Sequence, residues 1–264
     1  MGIVINRQKV CEGFDAYVRK YNFEDEKIRL KAEHTYRVSA LCEKIAESLD
    51  LEQEDIDLAW LLGMLHDIGR FEQVKRYGTF MDAVSVNHAE FGAKLLFKEG
   101  LIHTFVEESC MEDEKIAKLI YQAVFWHSAY RLPESLDSRT KLFCDILRDA
   151  DKVDILRVNV EFSFEEIYNV PLKALRECSV SAEVMQAVRE EHAVLKDWRK
   201  TPIDYLVGHI CLVYEMVSSE AVKVVAEQGY LKKLLDFQSE NETTKEQFKE
   251  IQEKVYCYLE RRIQ

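Results

Sequence analysis

The sequence predicts an all-α fold, and three observations carry that expectation. Only three prolines and nine glycines punctuate 264 residues, so long stretches run without a helix breaker. Along most of the chain apolar residues recur at three- and four-residue steps, the period of a helix with one buried face. No pair of alternating apolar runs flanks a hairpin turn dipeptide. With 47% hydrophobic residues the chain can bury a sizeable core rather than remain disordered.

The elements follow in order. A helix is expected within residues 1–23. Residues 24–49 form the next, with the stripe Leu30, His34, Val38, Leu41, Ile45 and Leu49. Residues 54–67 are apolar nearly all round (Ile56, Leu58, Ala59, Trp60, Leu61, Leu62, Met64, Leu65), which suits a helix in the centre of a bundle. Gly69 is expected to end that helix in the left-handed conformation, and residues 70–83 to form a loop. Ser85 is the expected cap of a helix to residue 99, with Gly100 as its stop. Residues 113–127 carry Ile116, Ile120, Ala123 and His127 on one face, and residues 138–157 carry Phe143, Leu147, Ala150, Asp151 and Asp154. Thr201-Pro202 is an N-cap and first-position pair for a helix through Leu206, Ile210 and Tyr214. The stretch "SENETTKEQFKEIQEKVYCYLERR" reads as a polar turn and a charged terminal helix. That helix is an intramolecular strut or the contact of a homodimer. No linker rich in Pro, Gly or Ser divides the chain, so the expected organisation is a core over residues 1–160 and a C-terminal helical extension over residues 161–264, packed on it.

Charge and composition exclude several function classes. A formal net charge of −12 argues against a surface for polymeric nucleic acid, which needs a basic footprint, and against docking on an anionic membrane. A small anionic ligand is compatible where positive charge is concentrated locally. Seven cysteines lie irregularly and without a C-x-x-C pair, the pattern of reduced, packed thiols. "MGIVINRQKV" has no apolar h-region, no run reaches eighteen apolar residues, and Asn6 stands where a myristoylation signal wants Ser or Thr. A cytoplasmic location is the expectation.

Six polar residues intrude on the inward faces: His34, His66, Asp67, His88, His127 and Asp151. They come from five successive helices, and each interval leaves room for one helix and its return, so the side chains can converge at the bundle's centre. A buried, unpartnered carboxylate costs several kcal/mol, a penalty that metal ions remove. Four imidazoles and two carboxylates suit Fe, Mn, Co, Ni or Zn, with Fe or Mn favoured, and suit Ca or Mg poorly. Six ligands exceed the needs of one site and fit two metals sharing a carboxylate.

The order His34, His66-Asp67, Asp151, in the contexts "HTYRVSALCEKIAESL", "LLGMLHDIGRF" and "LRDADKVDILR", resembles the HD superfamily of metal-dependent phosphohydrolases over about residues 24–160. His88 in "VNHAEFGAKLL" and His127 in "VFWHS" make it similar to the dinuclear branch. The resemblance implies that His34, His66, Asp67 and Asp151 hold one metal and that Asp67 bridges to a second held by His88 and His127. It implies hydrolysis of a phosphoester or phosphoanhydride bond in a small molecule, a nucleotide by preference, by water activated between metals about 3.5–4 Å apart. A di-iron oxygenase resembling inositol oxygenase is an alternative on the same scaffold, and a nucleotide-binding sensor with little turnover is another.

Asp67 and Arg70 are the expected catalytic residues. Arg70 is also the expected phosphate contact, since a guanidinium binds phosphate in a bidentate manner. Lys75 and Arg76 are expected on the surface, while Gly78, Thr79, Phe80 and Asp82 could shape a lid. Arg37, one turn after His34, is placed for a substrate phosphate or an ion pair. Lys152 is placed to neutralise a leaving group or to pair with Asp149 or Asp154. Glu72 is a proton shuttle or part of a solvated face. His103, His192 and His209 lie off the constellation.

Overall fold

Asn6 and Asp25 start the first two helices, α1 (Arg7–Val18) and α2 (Glu26–Ser48), by accepting from the backbone N–H groups of Lys9 and Lys27, as N-cap side chains do for the otherwise unpaired first turn. In this computed structural model, which describes residues 4–165 and 170–263, α3 (Gln53–Leu65) buries an unbroken run from Leu58 to Leu65. Such a helix needs neighbours on every side, and α1, α2 and α7 (Glu114–Trp126) all pack on it. Gly63 permits the closest of these contacts. A Cβ there would lie 2.4 Å from the Ser39 Cα of α2, so only hydrogen fits between the two backbones.

Two expectations fail just beyond. Gly69 does not end a helix in the left-handed conformation, and residues 70–83 are not all loop: α4 (Ile68–Tyr77) occupies most of that segment and ends at Gly78, whose φ is 67°. Ile68, Phe71, Gln73 and Val74 are its buried face. Gly69 is required for a different reason: a Cβ on it would meet the His88 carbonyl oxygen at 2.5 Å and Gly92 N at 2.7 Å. It is the close approach between α4 and α5 (His88–Phe97). Helix α5 starts later than expected, because Asn87, not Ser85, accepts from the N–H groups of Ala89 and Glu90. Gly100 follows with φ 75°.

After the short helix α6 (Glu108–Glu112), Asp113 caps α7 through Lys115 N and Ile116 N. The Asp137 carboxylate accepts from Thr140 N and Oγ1 at the start of α8 (Ser138–Glu161). Arg148 of α8 donates to the carbonyls of Trp126, His127 and Ala129, and so closes the C-terminal end of α7 with a cation where the exposed carbonyls favour one.

The chain divides into two compact units, Met1–Asp151 and Lys152–Gln264. The division falls inside α8, whereas the sequence reading placed it after residue 160. Lys152 already belongs to the second unit, where its ammonium donates to the Glu215 carbonyl at 2.8 Å. That unit continues with α9 (Leu172–Glu177), α10 (Ala182–Arg189), α11 (Pro202–Ile210), α12 (Ser219–Gln228), α13 (Tyr230–Leu235) and α14 (Glu242–Ile263). Thr201 and Pro202 open α11 as expected, and the buried Asp204 carboxylate accepts from Lys200 N, Thr201 N and Ser181 N. The terminal helix α14 buries Phe248, Ile251, Val255 and Tyr258 and packs on α10, α12 and α13. No strand occurs among the described residues, and none of their helices is long and apolar enough to cross a membrane. All seven cysteines are free.

Candidate metal centre

The junction of α3 and α4 explains why an apolar helix ends in His66-Asp67. His66 closes α3, Asp67 stands at the start of α4, and both are buried. Helix α2, seated on α3 through Gly63, brings His34 across, so that its Nε2 lies 3.3 Å from His66 Nε2. Helix α5, seated on α4 through Gly69, brings His88. Helix α7 ends at His127, whose Nε2 lies 3.1 Å from His88 Nε2. Asp151 of α8 reaches the His34 side, with its Oδ1 3.1 Å from His34 Nε2 and 3.8 Å from His66 Nε2.

Asp67 lies between the two halves. Its Oδ2 is 3.6 Å from His34 Nε2 and 3.5 Å from His66 Nε2. Its Oδ1 is 3.6 Å from both His88 Nε2 and His127 Nε2. The donors thus form two buried groups of three, His34–His66–Asp67 and Asp67–His88–His127, each compact enough to hold a cation. All six residues singled out in the sequence are brought together.

The hydrogen bonds show what these groups need. His66 Nδ1 is 2.7 Å from the Gly63 carbonyl, and His127 Nδ1 is 2.7 Å from the Val124 carbonyl. A carbonyl can only accept, so Nδ1 carries the proton in each ring, and a neutral ring then turns a lone pair outward at Nε2. His88 Nδ1 donates in the same way to Asp82 Oδ2 at 2.7 Å. The Nε2 atoms of His88 and His127, the ring nitrogens left over once Nδ1 is engaged, face each other at 3.1 Å beside a carboxylate oxygen. A divalent cation satisfies that arrangement, and the residues fit one in each group.

Electrostatics keep the donors in the ligating state. Burial alone would raise the Asp67 carboxyl, but the Lys31 ammonium holds it well below the carboxylate range. Asp151 is likewise raised by burial and lowered further by the hydrogen bond with His34, with a net fall. Burial pushes His66 below its ordinary value against the pull of Asp67. Burial and the Arg70 charge push His88 down to about 3. The carboxylates are therefore ionised and these two imidazoles neutral, the forms that bind metal.

Of the other predicted residues, Arg70 lies nearest. Its Nε is 3.6 Å from Asp67 Oδ1 and is buried without a hydrogen-bond partner. Its Nη1 donates to Gln73, the Phe80 carbonyl and Asp82. Arg37 lies 3.6 Å from Glu33 of its own helix. Lys152 pairs with a second-unit carbonyl, as described above. Glu72 accepts from Tyr21 and Arg76. Lys75 and Arg76 are exposed.

Two contributors were missed by sequence reasoning. Lys31 Nζ lies 2.6 Å from Asp67 Oδ2, one helical turn before His34 on the same face, a spacing that could have revealed it. Asp82 is a partner of His88 and Arg70, not merely a shaper of a lid. Its contact crosses an irregular turn, where periodicity gives no signal.

Residues 32–156 match the family model described as HD domain. No curated protein and no solved structure matches the chain significantly.

Proposed function

We propose, from the premise that residues 32–156 are an HD domain, that this chain is a metal-dependent phosphohydrolase cleaving a phosphoester or phosphoanhydride bond of a small molecule, with nucleotides the preferred class. The observation that carries this reading is the pairing of Asp67, shared by two three-donor groups, with the unspent Nε–H of Arg70 at 3.6 Å from it. A cation-binding cluster beside an unsatisfied guanidinium donor is built for an anion.

Divalent cations bound there would acidify water and offset phosphoryl charge. His34, His66, Asp67 and Asp151 would hold one, and Asp67, His88 and His127 the other. The imidazole and carboxylate donors suit Fe, Mn, Co, Ni or Zn, with Fe or Mn favoured. Within the protein, His66 and His88 keep their protons on Nδ1, and Asp67 remains an anion held in place by Lys31. Arg70 presents Nε–H toward the space beside Asp67 Oδ1 and orients a phosphoryl oxygen there. Concentrating positive charge at this one place lets a chain with net charge −12 receive a small anion while repelling polymeric nucleic acid.

The test is a panel of nucleoside mono-, di- and triphosphates and simple phosphoesters, run on protein of known metal content with Mn and with redox-inert Zn. Phosphate or nucleoside release with either metal supports the reading. Full occupancy without turnover on any nucleotide removes the nucleotide class. Oxygen uptake seen only with iron transfers the scaffold to oxygenase chemistry.

A further inference from the structure

Three of the donor imidazoles show what fixes their rings, and one of the three differs. His66 and His127 each donate Nδ1–H to a carbonyl three residues earlier, Gly63 and Val124, so their orientation comes with the helix that carries them. His88 is the first residue of its helix and has no helical carbonyl behind it. Its Nδ1 donates instead to Asp82, six residues earlier.

Asp82 has a second duty. Its other oxygen accepts from Arg70 Nη1 at 3.0 Å and from Gln73 Nε2 at 2.9 Å. Gln73 is fully buried and also reaches Ser85 Oγ at 2.9 Å and the Val86 carbonyl at 3.0 Å. Arg70 Nη1 reaches the Phe80 carbonyl at 2.8 Å. Residues 80–86 are thus strapped onto α4 by two side chains, and the strap delivers one carboxylate to His88 and Arg70 together.

We infer that Asp82 is a positioning residue that makes the second cation position, Asp67–His88–His127, depend on this strap and ties that position to the setting of Arg70. The inference rests on the two-cation reading above. The Asp82 carboxylate holds the His88 proton on Nδ1 and raises the basicity of Nε2, as a carboxylate does behind a ligating imidazole. Asp82 bonds to His88, Arg70 and Gln73 rather than to His34 or His66, so the first position, His34–His66–Asp67, is expected to fill without it.

The experiment is Mn²⁺ titration of the metal-free full-length chain, by calorimetry and by EPR, on wild type, Asp82→Ala, Asp82→Asn and Asp82→Glu. Wild type is expected to bind two Mn²⁺ with the spectrum of a coupled pair. Asp82→Ala is expected to keep the first within about threefold and to weaken the second by roughly 10–100-fold, the usual loss for removing such a partner, with an uncoupled spectrum. Asp82→Glu restores part of the second affinity because it retains the charge. Asp82→Asn keeps the shape, and a folded Asn variant serves in place of Ala should the latter not fold. Wild-type affinity for the second Mn²⁺ in the Ala or Asn variant overturns the inference and leaves the two-cation reading standing. Equal weakening at both positions also overturns it, since that is a general structural effect. Fewer than two Mn²⁺ on wild type overturns the two-cation reading, and the inference with it.

Discussion

The two halves of the donor cluster are chemically alike and mechanically different. The His34–His66 half is set by helix-to-helix contact: α2 lies on α3 through Gly63, and the His66 ring is pinned by the carbonyl of Gly63 itself. The His88–His127 half has one ring pinned in that way and one pinned by a side chain on a strap. Backbone-set geometry is insensitive to most surface changes, because moving it requires moving whole helices through a close-packed core. Strap-set geometry is adjustable, because a few hydrogen bonds worth about 0.5–3 kcal/mol each hold it. The half that is adjustable is also the half next to Arg70.

The largest break is expected at the one residue both halves share. Asp67→Ala should abolish paired metal binding and lower kcat/KM by several kcal/mol, on the order of a thousandfold, measured with metal content determined on the same sample. Full metal loading in that variant would contradict the sharing.

The two glycine contacts separate the halves. Gly63→Ala forces a Cβ to 2.4 Å from Ser39 Cα, and Gly69→Ala forces one to 2.5 Å from the His88 carbonyl. Each should destabilise the fold by about 1–3 kcal/mol, read from the denaturation midpoint. Gly63→Ala is expected to weaken the first cation and Gly69→Ala the second. The same pattern from both would erase the distinction.

Arg70→Ala comes next. It removes the donor beside Asp67 Oδ1, and kcat/KM should fall by about 10–100-fold, the equivalent of about 1.5–3 kcal/mol for a hydrogen bond to a charged group. The first cation should bind as in wild type. Arg70→Lys should recover little, because an ammonium lacks the planar fork that serves the strap and the anion together. Steady-state kinetics beside Mn²⁺ titration would show whether the loss lies in substrate handling.

The smallest effect is on the metal-free protein in acid. His88 is pushed down to about 3 from 6.5, and Asp67, Asp82 and Asp151 are held below 3.8. Below pH 6.5 the unfolded chain binds a proton that the folded chain excludes at His88, and below about pH 4 it also protonates carboxylates that the folded chain keeps ionised. Stability should be highest at neutral pH, decline from about pH 6.5 downward, and fall more steeply below pH 4. Urea midpoints across that range measure it. A midpoint that rises with acid would contradict the burial of these groups.

The helical stripes made the fold legible, and the same stripes exposed the six donors, since each is a polar residue on an otherwise apolar face. Gly69 misled because a glycine after an apolar run signals a helix stop as readily as a tight helix crossing, and only the partner backbone, at His88 and Gly92, distinguishes the two. Helix α4 was hidden by Arg70, Glu72, Lys75 and Arg76, whose charges make a ten-residue helix look like a loop, although Ile68, Phe71 and Val74 keep the helical period. Ser85 and Asn87 are both good caps, and local chemistry does not choose between them. Asp82 was read only as part of a lid, because its bonds to His88 and Arg70 cross a turn rather than follow a repeat.

The most direct measurement is anomalous diffraction from crystals of the Mn²⁺-loaded protein. Two peaks on either side of the Asp67 carboxylate, one by His34, His66 and Asp151 and one by His88 and His127, are the predicted result. A single peak, or peaks away from Asp67, would contradict a pair of cations sharing that carboxylate.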